Sequence, residues 1–183
     1  MRKAHISAFP QPCKCGPGGP GFKWVHETFG TNWRLTEIQS AIGRLQLKKL
    51  PEWLQKRREN AAVLTECFSQ LPGIRVTTPP ENSGHAFYKF YVFVVPEALG
   101  ADWSRDRIIA AVAERGVPCY SGSCSEVYRE KAFPQAWRPP IRLPNAHELG
   151  ETSLAFQVHP TLSREDLSRT CAVVRDVMVQ ATR

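Results

Sequence analysis

Gly30, Asn32 and Arg34 stand just ahead of a predicted helix start, and there the chain most plainly offers chemistry. Backbone N–H groups and the helix dipole favour an anion at such a place. An asparagine amide can make two hydrogen bonds at once, and the planar fork of arginine suits a phosphate or a carboxylate. An ordinary helix start with a solvated arginine accounts for the same spacing, since a short motif is a hypothesis until its context is known. His26, in Trp24-Val25-His26-Glu27, precedes the loop and is a further candidate. A second polar group lies in the run 119–128, where Tyr120, Ser121, Ser123 and Tyr128 carry hydroxyls. These can donate to a phosphate or another hydroxyl, and a polar turn with no ligand is an equal reading.

Other chemistries are poorly served. His5, His85 and His147 have no partner at a useful spacing, and nothing resembles a nucleophile elbow, so hydrolase chemistry is not expected. Cys13-x-Cys15 is the only close pair among six cysteines, and no second Cys or His cluster at zinc-like spacing accompanies it. No metal site is expected. The chain is too long and too rich in ordinary core residues to need a disulfide framework, so reduced thiols are expected, with Cys67 and Cys171 in the core. The glycines at 16, 18, 19 and 21 are not preceded by a strand or followed by Gly-Lys-[Ser/Thr], which argues against a phosphate loop.

The elements that must position these groups follow from periodicity. Residues 1–22 alternate proline and glycine too densely for a helix or a central strand and read as an irregular arm. Thr36 and Gln39 fit a capping box, after which Ile38, Ala41, Ile42 and Leu45 recur on one helical face to about Leu47. Pro51 suits the first turn of a second helix, with Leu50, Leu54, Arg57, Ala61, Leu64, Phe68 and Leu71 along one seam that Arg57 interrupts by snorkelling or pairing. Strands are predicted at 74–76, 87–95, 117–120 and 153–158, the second of them central for its continuous apolar character. Ser104 caps a helix that stops at Gly116, and Ser163 with Asp166 opens a closing helix. The Pro-rich stretch with prolines at 134, 139, 140 and 144 is expected to hold little regular structure. The order ααββαββα, with short links, predicts an α+β layer on an antiparallel or mixed sheet.

The 183 residues are 42% hydrophobic and 22% charged, an ordinary globular composition. No run of about 18 apolar residues exists, and the start of the sequence lacks the apolar region of a secretory signal, so a cytoplasmic protein is expected. Twenty-four Lys and Arg against 17 Asp and Glu give a net charge of +7, which suits an acidic partner. The basic residues are spread along helices and not interleaved with aromatics in a stripe, which makes nucleic acid the weaker partner.

The run Gly30-x-Asn32-x-Arg34-Leu35-Thr36-Glu37-x-Gln39-x-Ala41-x-Gly43, with Leu45-Gln46-Leu47-Lys48-Lys49-Leu50 after it, resembles the segment linking the two domains of DegT/DnrJ/StrS-type sugar aminotransferases. Further matches, in the family's order, are Pro51-Glu52-Trp53, Tyr88-Lys89-Phe90-Tyr91-Val92-Phe93, Arg105-Asp106-Arg107-Ile108-Ile109 and Leu154-Ala155-Phe156-Gln157-Val158-His159-Pro160. The resemblance runs from about Pro20 to about Met178. It implies the C-terminal small domain of a fold-type I aminotransferase dependent on pyridoxal 5′-phosphate (PLP): residues 1–22 as an arm, 23–71 as loop and interdomain helix pair, and 72–183 as a domain with a sheet of about four strands. It implies further that Asn32 reaches a partner subunit's PLP phosphate across a dimer. Arg34, Tyr120, Ser121, Ser123, Tyr128 and His26 would lie toward a nucleotide-sugar substrate. Relatives carry a His-Tyr pair followed by Pro-Leu-His where this chain has Cys119-Tyr120-Ser121-Gly122-Ser123, a departure at the expected phosphate contact. None of the eight lysines stands in the family's Ser-x-x-x-Lys context. The expected function is therefore part of a nucleotide-sugar aminotransferase without the Schiff-base lysine region, inactive alone and without bound PLP. The alternative is a non-catalytic dimerisation or binding module derived from that domain.

Overall fold

A computed structural model describes residues 29–30 and 33–182 of the chain. The elements in order are α1 (Glu37–Phe68), β1 (Ile74–Val76), β2 (Phe90–Val94), α2 (Arg105–Glu114), β3 (Cys119–Tyr120), α3 (Pro144–Thr152), β4 (Ser153–Phe156) and α4 (Arg164–Ala181), with short 3-10 turns at Pro96–Ala98, Val127–Arg129 and Gln135–Trp137. The four strands form one antiparallel sheet in the order β1-β2-β4-β3, so the aromatic and β-branched β2 is an inner strand as its composition predicts. Phe90 lies opposite Phe156 and Val92 opposite Leu154, which places the large side chains of both inner strands on one face.

The core sits between that face and three helices. Ala61, Leu64 and Phe68 of α1, Ile108 and Val112 of α2, and Val174, Val177 and Met178 of α4 are all buried. Phe68 anchors the cluster, its ring edge-on to Phe156 at 5.0 Å and to Phe90 at 5.9 Å. Truncating such a ring typically costs 3–5 kcal/mol, since transfer and cavity costs add. The caps are the ones local chemistry dictates. Thr36 and Gln39 exchange hydrogen bonds at the start of α1, as Ser163 and Asp166 do at α4, and Ser104 accepts from the Arg107 amide at α2. Gly116 follows α2 with φ 77°, a left-handed conformation that a Cβ disfavours.

Four expectations need correction. The expected pair of helices over 36–71 is one helix, α1, with Pro51 inside it. That proline withholds a donor from the Leu47 carbonyl and crowds it with its ring, but no other turn-forming residue lies between Arg44 and Glu59 to stop the helix. The expected seam is buried only at its far end: Ala61, Leu64, Phe68 and Leu71 are inside, while Leu50 is exposed. Arg57 leaves the seam as predicted, donating to the carbonyls of Phe87 at 3.2 Å and Tyr88 at 2.9 Å. The Pro-rich stretch does hold a helix, α3, because Pro144 occupies its first turn, where a missing N–H breaks no hydrogen bond. Strand ends are also shorter than predicted, with pairing confined to 90–94, 119–120 and 153–156. Among the described residues no helix is long and apolar enough to cross a membrane.

Candidate functional site

The polar run after β3 folds against the face of the sheet opposite the core. Tyr91 of β2 points to that face, and its hydroxyl meets Ser123 Oγ at 3.2 Å while accepting from the Ser123 amide at 3.1 Å. The turn needs Gly122, which has φ 89° and lies so close to the Tyr91 ring that a Cβ would stand 2.5 Å from it. The Ser121 carbonyl accepts from Ser153 Oγ at 2.6 Å, fixing the turn to β4. Ser121, Ser123, Ser125, Arg105, Arg129, Arg142, Glu126 and Glu151 then surround a pocket of about 170 Å³. Three guanidinium groups and two carboxylates line it, and Arg105 is further paired with Asp106 at 2.6 Å.

On one side lies an ion pair between buried Glu126 and half-exposed Arg142. Arg142 Nε and Nη2 donate to the two oxygens of Glu126 at 2.7 and 2.6 Å, and the Tyr128 hydroxyl donates to Glu126 Oε1 at 2.6 Å. Arg129 Nη1 approaches Oε2 at 3.5 Å. The Arg142 hydrogen bonds hold the Glu126 carboxyl at about 2 against the opposing effect of burial, with Tyr128 adding to the lowering. His147 Nδ1 lies 3.9 Å from Glu126 Oε2, too far to hydrogen bond. Arg105, nearly buried, ties α2 to the α3–β4 junction by donating from Nη1 to the carbonyls of Gly150 at 3.0 Å and Ser153 at 3.2 Å.

The structure therefore gathers Ser121 and Ser123 at one pocket. It gives the Tyr128 hydroxyl two partners, since it also accepts from the Leu143 amide at 3.1 Å. Tyr120 lies on the same face of the sheet as Tyr91, both in register with Ala155, but outside the pocket lining; it is exposed, with Lys89 Nζ 5.2 Å from its ring centre and Gln157 donating to its hydroxyl at 3.4 Å. Arg34 is exposed just before α1. Asn32 and His26 lie outside the described residues. Glu126, Arg142 and Arg105 belong to the site and were not singled out from the sequence as site residues. Arg142 is 16 residues from Glu126 across irregular chain, and no periodicity connects them.

The described lysines lie elsewhere. Lys49 stands over the Trp53 ring at 5.9 Å, Lys56 pairs with Glu59 at 3.5 Å, and no lysine lines the serine–arginine pocket. Among the described residues no group of three or more His, Cys, Asp or Glu is placed to hold a metal ion.

Comparison with known proteins follows the same outline. An aminotransferase from Psychrobacter cryohalolentis, known from its X-ray structure, is 43% identical with a TM-score of 0.76; the match covers 92% of this chain and 45% of that one. The erythromycin biosynthesis sensory transduction protein EryC1 of Saccharopolyspora erythraea is 30% identical over 153 residues, 84% of this chain and 40% of that protein. A dTDP-3-amino-3,4,6-trideoxy-alpha-D-glucose transaminase of Streptomyces venezuelae is 27% identical over 84% of this chain and 38% of its own length. The chain thus spans about two fifths of the length of these curated relatives. The pattern shared by the DegT/DnrJ/EryC1/StrS aminotransferases covers residues 13–175, and the chain belongs to that family.

Proposed function

We propose that this chain is the C-terminal small-domain portion of a PLP-dependent nucleotide-sugar aminotransferase, passing an amino group from glutamate to a keto-sugar carried on a nucleotide. The observation that carries the reading is the family match over 13–175 in a chain spanning only about two fifths of its curated relatives. PLP supplies the electron sink for amino transfer when bound. The lysine that would hold it belongs to sequence beyond these residues, in the same polypeptide or another, and the placement of Lys49, Lys56 and Lys89 away from the polar pocket supports that assignment.

The roles of this chain's residues are then auxiliary. Asn32 donates to the phosphate of the cofactor held by the partner subunit, and Arg34 and His26 lie beside that same site. Ser121 and Ser123 face the sugar nucleotide from a pocket whose arginines suit its phosphates. Tyr128 acts on that pocket through Glu126, and Tyr120 offers its exposed face to the base or sugar. The protein works as a dimer in the cytoplasm.

The experiment pairs this chain with the first half of the Psychrobacter cryohalolentis aminotransferase, cut where the match begins. It follows 2-oxoglutarate release from glutamate with PLP and a dTDP-linked keto-hexose. Neither half alone turns over, the mixture does, and Asn32→Ala in this chain lowers that rate by about tenfold. Turnover by this chain alone would overturn the reading. Because the core of this domain closes on itself, a non-catalytic dimerisation module is the second reading. A stable complex of the two halves without turnover would favour it.

A further inference from the structure

On the side of the molecule away from the serine–arginine pocket, α1 and α4 leave a groove of about 510 Å³ between them. Two thiols meet in it, Cys67 from the last turn of α1 and Cys171 from the middle of α4, with Arg164, Arg175 and Glu66 around them. Both cysteines are half-buried, so solutes reach them and the helices hold them. Arg175 Nη2 lies 3.9 Å from Cys67 Sγ. The Cys171 thiol lies against that of Cys67, and burial first, then that neighbour, pushes it up to about 12. The other described thiols lack this arrangement: Cys119 is enclosed in the core, and Cys124 sits in the loop after β3 near Glu126 and Glu130. The amino-transfer reading uses neither cysteine.

We propose that Cys67 and Cys171 form a reversible thiol-modification site for a low-molecular-weight disulfide carrying carboxylates, and that the reaction ends in a disulfide joining α1 to α4. Arg164 and Arg175 supply the charges that would hold the carboxylates. In the first step the Cys67 thiolate attacks one sulfur of the reagent. A Cys67–S–S–R bond forms, the reagent's S–S bond breaks, and the departing thiolate takes up the proton that Cys67 lost. Cys67 is then neutral, which removes its opposition to ionisation of Cys171. In the second step Cys171 attacks Cys67 sulfur and expels the second RS⁻, which is protonated in turn. The two protein thiols are oxidised, and the reagent is reduced to two thiols.

The test uses the full chain, reduced and then exposed to oxidised glutathione, with intact mass and peptide mapping against time. Mapping separates Cys67 and Cys171 from Cys13, Cys15, Cys119 and Cys124. The expected product is a linked Cys67–Cys171 peptide pair, with Cys171→Ser stalling at a glutathione adduct on Cys67 and Cys67→Ser giving neither product. Arg164→Met should slow the reaction with oxidised glutathione by about fivefold and leave that with the cationic disulfide cystamine unslowed, the signature of charge recognition. An adduct at Cys67 no faster than at core-enclosed Cys119 would overturn the site. An adduct that persists on Cys67 in the unsubstituted chain would overturn the disulfide, and equal slowing of both reagents by Arg164→Met would overturn the carboxylate preference.

Discussion

At Glu126 a buried carboxylate meets Arg142 through both oxygens and Tyr128 through one, at the edge of the pocket that Ser121, Ser123 and Ser125 also line. Its carboxyl lies at about 2 in the folded chain against 4.5 ordinarily, so the folded state favours the charged form. The stability this contributes is complete above about pH 4.5 and is lost as the pH falls toward 2. Glu126→Gln should therefore lower stability by about 2 kcal/mol at neutral pH, a figure reduced by the solvent around the half-exposed Arg142. Urea unfolding of the two proteins should show that difference shrinking through the same acid range. A difference independent of pH would mean that the carboxylate's charge is not what the pocket needs. The sequence displays the serines of this site because small polar residues cluster between β3 and the prolines. It hides the ion pair because Glu126 and Arg142 are brought together only by the fold of an irregular segment.

Local chemistry made the element boundaries legible wherever a cap decides them, as at Thr36, Ser104, Gly116 and Ser163. It misled at the two prolines, Pro51 and Pro144, whose effect depends on position within a helix and not on their presence. The strands were placed by composition and came out shorter because pairing partners, not propensity, set their ends. Helix α1 is the element with the most uneven support: no residue from Glu37 to Glu59 is buried, whereas Asn60, Ala61, Leu64 and Phe68 are. Amides from 41 to 50 should accordingly exchange with solvent far faster than those from 60 to 68. Pro51→Ala restores a donor to the Leu47 carbonyl and should slow exchange in 41–50 by about tenfold while leaving 60–68 unchanged. Equal protection along the whole helix before substitution would contradict this division.

For the molecule as a whole, the exposed half of α1 carries the apolar face that periodicity predicted, and among the described residues nothing covers it. Trp33 is 89% exposed, Leu35 75% and Ile38 74%, with Ile42 and Leu45 following on the same side. Single exposed apolar residues are ordinary, but a continuous stripe of this kind marks an association surface. The isolated chain should self-associate, and the double substitution Ile38→Lys with Leu45→Lys should abolish association without changing the circular dichroism of the fold, because neither side chain touches the core. Light scattering over a wide concentration range is the measurement, and a clean monomer before substitution would sink the expectation. The length of α1 has a mechanical consequence as well. Asn60, its first buried residue, acts as a fulcrum, and at 1.5 Å per residue Glu37 stands about 35 Å along the axis from it. A tilt of about 3° about that residue would carry Glu37 through about 2 Å. A small change in packing around Phe68 would thus be magnified at the start of the helix.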